Sequence, residues 1–146
     1  MNVTVLLSIL CTLLLASRAA SEQKNKDDVL KNTHKFETKC SFPCCIGALD
    51  GKHVAILPSL NTGSLYLNYE HHFSIVLLAL VDASCRFIYV DIGAYGRTSD
   101  GEVFNNLSLS QALESKSFNK PEPAAIPHTN DVCPYAIVAD DAFALR

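Results

Sequence analysis

Cys45-Ile46-Gly47-Ala48-Leu49-Asp50-Gly51-Lys52-His53 is the stretch whose reading decides the fold. A short apolar run ends on a carboxylate, and the same pattern returns near the C-terminus in Tyr135-Ala136-Ile137-Val138-Ala139-Asp140-Asp141. Apolar runs of this length bounded by turn residues read as buried strands. A carboxylate at a strand end is held rigidly enough to bind a divalent metal, and two on neighbouring strands can hold one hard cation between them. Asp50 and Asp140 are therefore the candidate metal ligands, on the condition that their strands are neighbours.

The sequence between them bears on that condition. Phe42-Pro43 stops any preceding helix and introduces a strand over about Cys45 to Leu57. Asn61-Thr62-Gly63-Ser64 makes a turn, and Phe73 to Val81 is a continuous apolar run of the kind a central strand shows. Asp82-Ala83-Ser84 links it tightly to Arg86 to Ile92, an alternating strand, so three successive strands form an antiparallel meander. Beyond Gly93 the period becomes helical. Ser99-Asp100-Gly101-Glu102 is a capping-box sequence, and Ser108 with Gln111 repeats the signature. Pro121, Pro123, Pro127 and Pro134 mark an irregular crossing loop before the short strand Tyr135 to Ala139. A connection through a helix lets that last strand lie parallel to an earlier one, and if it lies beside the first, Asp50 and Asp140 meet.

At 146 residues, 49% hydrophobic and 18% charged, the chain fits one globular domain, and no internal repeat is visible. With 12 Lys plus Arg against 15 Asp plus Glu the net charge is -3, so no general basic field draws it onto nucleic acid. Any such contact is local or supplied by a partner. Residues 1–20 read as a signal peptide, because Val3 to Ala16 is nearly all apolar, too short to span a bilayer, and followed by small residues. Residues 21–39 are polar and read as a linker or weak helix, leaving 40–146 as the folded domain. Of six cysteines two are adjacent, a poor disulfide framework; Cys45, Cys85 and Cys133 read as small buried hydrophobes, and Cys40, Cys44 and Cys45 lack a second ligand pair for zinc.

Phe42 to His53, Tyr66 to Asp82, Arg86 to Asn106 with Gly93-Ala94-Tyr95-Gly96-Arg97-Thr98-Ser99-Asp100, and Val138 to Leu145 together resemble the DDE endonuclease domain of PIF/Harbinger transposases and their domesticated nuclease relatives. The resemblance implies an α/β, ribonuclease H-like mixed sheet: a three-strand antiparallel meander, a helix, then a parallel strand. It implies Asp50 and Asp140 as catalytic acids holding Mg2+ or Mn2+, DNA as substrate, a separate Myb-like protein as DNA-binding partner, and a nuclear location at odds with an exported chain. Asp141 is the rival for the second acid; Asp140 is preferred because Asp-x-Ala-Phe-x-Leu places the family acid first, and because adjacent strand residues face opposite sides. The family's third acid is a glutamate on a later helix, which has no counterpart before Arg146. By this resemblance the domain is a partial one, truncated at its C-terminus and incomplete as a nuclease; the alternative is a non-catalytic domesticated or secreted remnant.

Other residues receive plainer readings. Asp100 is expected to satisfy free N–H groups at its helix start rather than to hold metal. Lys52, His53 and Arg97 are weaker candidates for phosphate contact, and Tyr66 and Tyr69 for base stacking. His71 and His72, if in a strand, point apart and make poor ligands. Asp82 and Asp91 are expected to close strands and cap turns. Asn2-Val3-Thr4 and Asn106-Leu107-Ser108 are glycosylation sequons, of which only the second would survive export.

Overall fold

The computed structural model describes residues 26–58, 62–115, 121–126 and 131–143. The signal-peptide reading of 1–20 lies outside these residues. The elements, in chain order, are α1 (Lys26–Cys40), β1 (Cys45–Ala55), β2 (Ser74–Val81), β3 (Phe87–Tyr95), α2 (Asp100–Asn105), α3 (Ser108–Glu114), β4 (Ala124–Ala125), β5 (Val132–Cys133) and β6 (Ala136–Val138). Four strands form one mixed sheet in the order β3-β2-β1-β6. β1, β2 and β3 are an antiparallel meander, and β6 adds to β1 in parallel. This is the expected ribonuclease H-like arrangement.

Side-chain alternation explains how the sheet acquires its core. Leu49, Val76, Leu78 and Leu80 occupy one face and pack with Val103, Phe104, Leu107, Leu109 and Phe143, all buried. Val76 and Leu78 are fully enclosed. Each such side chain contributes about 1.5–3 kcal/mol by leaving water, which makes the meander and the two short helices one unit. α2 starts where the sequence says it does, with the Ser99 hydroxyl accepting from the Glu102 N–H at 3.3 Å. α3 departs from expectation. Its N-cap is Leu107, without a side-chain hydrogen bond, and Ser108 is already helical; the buried Leu107 and Leu109 fix this start by packing.

From Lys26 onward the segment expected as a linker or weak helix is a helix that packs on β1. α1 buries Val29, Asn32, Thr33 and Phe36, and none of them belongs to the core cluster. The Asn32 amide is the tie: Nδ2 donates to the Ile46 carbonyl at 2.9 Å and Oδ1 accepts from the Ala83 N–H at 3.2 Å. The turn between β2 and β3 is built on Asp82, as expected, whose Oδ1 accepts from the N–H groups of Ser84 and Arg86 at 2.8 and 3.0 Å. Asp91 differs, since it lies inside β3 opposite Leu78, where burial pushes its carboxyl above the usual range. Cys85 is exposed rather than buried, because the turn holds it at φ 57. The proline-bearing segment holds a small hairpin, β4 with β5, that hands the chain to β6.

Candidate active site

Two of the residues that the sequence singles out stand on neighbouring stretches, Asp50 within β1 and Asp140 two residues beyond β6. Asp50 sits on β1 opposite Ala79 of β2. On the other side of β1, Ala48 pairs with Val138, and two residues further along each chain stand Asp50 and Asp140. Both carboxylates are exposed, and each is turned onto its own backbone: Asp50 Oδ1 accepts from the Gly51 N–H at 2.9 Å, Asp140 Oδ1 from the Ala142 N–H at 3.1 Å. Asp141 is exposed in the same turn. That turn is fastened to α2 by Phe143, which is buried and meets Phe104 edge-to-face at 5.7 Å. Gly101 permits the approach, since a Cβ there would fall 2.5 Å from the Ala142 carbonyl oxygen.

A third carboxylate stands beside them. Asp100 is the first residue of α2, yet it does not cap the helix; Ser99 does. The Asp100 carboxyl instead lies over Gly51, in space a β-carbon would occupy. Its Oδ1 is buried and has no hydrogen-bond partner among the described residues. Burial pushes its carboxyl above the usual range, the charges of Asp140 and Asp50 push the same way, and His53 pulls it down. In the sequence Ser99-Asp100-Gly101-Glu102 reads as a cap, which favours a structural role for Asp100 over a metal-holding one. The available signal was Gly51: a glycine within a strand often marks the close approach of another group.

Around the acids, His53 Nδ1 is 2.9 Å from the Ser74 hydroxyl, and its ring meets Tyr69 edge-on at 5.6 Å. Tyr69 is 78% exposed, whereas Tyr66 packs edge-to-face on Tyr95 at 5.1 Å. Lys52 and Arg97 are exposed, and neither forms an ion pair among the described residues. His71 and His72 lie in the turn before β2 rather than in a strand; His71 is exposed at φ 61 and His72 Nε2 is 3.0 Å from Asn68 Nδ2. Cys44 and Cys45 are buried, and burial pushes both thiols up, away from the thiolate a zinc ion requires.

Among the described residues no three His, Cys, Asp or Glu side chains are gathered closely enough to hold a metal as they stand. The chemistry of the acids nonetheless fits a hard cation. A buried carboxylate oxygen without a donor is costly, and a cation is the partner such an oxygen lacks. Two exposed carboxylates that can swing off local amides would complete the set. No described helix is long and apolar enough to cross a membrane.

Comparison with known proteins bears on the same region. The DDE superfamily endonuclease family matches residues 49–146, which take in Asp50, Asp100 and Asp140. Protein ALP1-like of Arabidopsis thaliana is 31% identical over 123 residues, 83% of this chain. The chain spans 30% of that relative's length. No solved structure matches.

Proposed function

The chain belongs to the DDE superfamily endonuclease family, and from that premise we propose a metal-dependent DNA phosphodiester site of Harbinger type built on Asp50, Asp100 and Asp140. The single observation that carries it is the buried, unpartnered Asp100 Oδ1 resting over Gly51 with the charges of Asp50 and Asp140 at hand. A divalent cation, Mg2+ or Mn2+, would supply activation of the attacking hydroxyl and stabilisation of the leaving oxygen. The protein's part is to hold its acids. β1 fixes Asp50, the turn docked by Phe143 fixes Asp140, and the first turn of α2 presses Asp100 against the sheet. His53, steadied by Ser74, together with Lys52 and Arg97, provides donors for phosphate oxygens around the acids. DNA as substrate, a Myb-like partner and a nuclear place of action follow from the same reading.

Calorimetric titration with Mn2+ and Mg2+ tests the proposal. Asp50→Asn, Asp100→Asn and Asp140→Asn should each weaken binding at least tenfold, while Asp141→Asn leaves it close to the parent. Parent-like affinity in all three variants would remove the site. Cleavage of supercoiled plasmid, with the same variants as controls, then separates a working nuclease from a domain that binds metal without chemistry.

A further inference from the structure

Away from the acids, a cleft of about 390 Å³ opens between α1 and the β2–β3 turn. Lys31, Lys35, Arg86 and Phe87 line it, with Asp28 and Asp82. Lys39 extends the row, its Nζ 3.0 Å from the Ser84 hydroxyl. Lys31, Lys35 and Lys39 recur every fourth residue of one helix, so their Cα atoms are about 6 Å apart along one flank. In a chain of net charge -3, this gathering of cations is local rather than a reflection of basic composition.

Arg86 is held in place before any ligand arrives. Its Nε donates to Asp82 Oδ2 at 2.9 Å and its Nη2 lies 2.7 Å from the same oxygen. Asp82 is 4% exposed and the Arg86 side chain 68%, so one edge of the guanidinium is pinned while the rest faces solvent. The two charges cancel, and what Arg86 still offers a ligand is its remaining N–H donors. Asp28 reaches Lys31 at 3.7 Å with both side chains largely exposed, a pair of little energetic weight. Beside them Phe87 is 48% exposed and offers a ring face. Spaced cations, a fixed guanidinium and an open aromatic ring match a phosphate backbone carrying stackable bases.

We infer that this cleft holds a DNA strand, with phosphates on Lys31, Lys35, Lys39 and Arg86 and an unpaired base on Phe87; it rests on the nuclease reading and adds a place where substrate flanking the acids is gripped. Binding of a fluorescein-labelled single-stranded oligonucleotide to the full chain, followed by anisotropy in EDTA across a KCl series, tests it. The Lys31→Gln/Lys35→Gln/Lys39→Gln variant should bind at least tenfold more weakly and lower the slope of log K against log salt by about 2. Phe87→Ala should weaken binding roughly tenfold with the slope unchanged. Lys31 and Lys39 are exposed and Lys35 is half-buried along the cleft, so far-UV circular dichroism of the triple variant should match the parent. Parent-like affinity and slope in that variant would overturn the inference. So would displacement of the oligonucleotide by poly-glutamate at equal charge concentration with no effect of Phe87→Ala, which would assign the cleft to an acidic protein. The anisotropy is read in EDTA, with no metal at Asp50, Asp100 and Asp140, whereas calorimetry reads the metal site by itself, so failure of the metal site and failure of the cleft are read separately.

Discussion

Asp82 is buried and Asp100 partly so, and their surroundings send them in opposite directions. Burial and the charges of Asp140 and Asp50 raise Asp100. The folded state therefore binds its proton more tightly than the unfolded chain, and stability falls as pH rises from the ordinary carboxylate range through the raised value. Asp100→Asn should abolish that loss, making the metal-free protein more stable at pH 7 while removing the stabilisation that Mn2+ gives the parent. Thermal melts with and without Mn2+ at pH 5 and pH 7 check both halves. At Asp82 burial also raises the pKa, but the hydrogen bonds of Arg86 and Ser84 and the Arg86 charge prevail and bring it to about 2. Here the folded value lies below the unfolded one, so the contribution is present above about pH 4 and is lost as pH falls towards 2. Asp82→Asn should cost about 2 kcal/mol at pH 7 and much less at pH 2.5, measured by urea unfolding at both values.

At the scale of elements, the helix α1 and the glycines around the acids show what a sequence conceals. Strand positions were legible because apolar alternation and turn residues mark them directly. α1 was not, because two of its four buried residues are Asn32 and Thr33, which blur the apolar stripe that identifies a packed helix. Its docking rests on a polar tie. Asn32→Ala should destabilise the protein by about 1–3 kcal/mol by leaving the Ile46 carbonyl and Ala83 N–H without their partner. Hydrogen exchange should show faster loss of protection in α1 than in β2. The neighbouring placement of Asp50 and Asp140 was readable, since each follows an apolar run that reads as a strand. The position of Asp100 was hidden because it depends on which strand residue lies beneath it, a tertiary fact. Gly51→Ala should displace the Asp100 carboxyl and weaken Mn2+ binding at least tenfold, with an overpacking cost of about 1–3 kcal/mol. Metal affinity that survives Gly51→Ala would place the ligands elsewhere.

Across the whole molecule, order in the sheet differs from order in the chain. β1 lies between β2, which follows it closely, and β6, which arrives roughly 80 residues later. Only three residues of β6 pair with β1, yet that contact is what carries Asp140 to Asp50. Long-range parallel pairing is entropically slow, whereas the meander closes through short turns. At synthesis rates of about 5–20 residues per second, the meander leaves the ribosome several seconds before β6. During that interval one edge of β1, with Cys45, Ile46 and Leu49 on it, has no strand beside it. The nascent protein is thus sticky before Asp140 reaches Asp50, and a chaperone that shields an open strand edge would act on this domain early in its life.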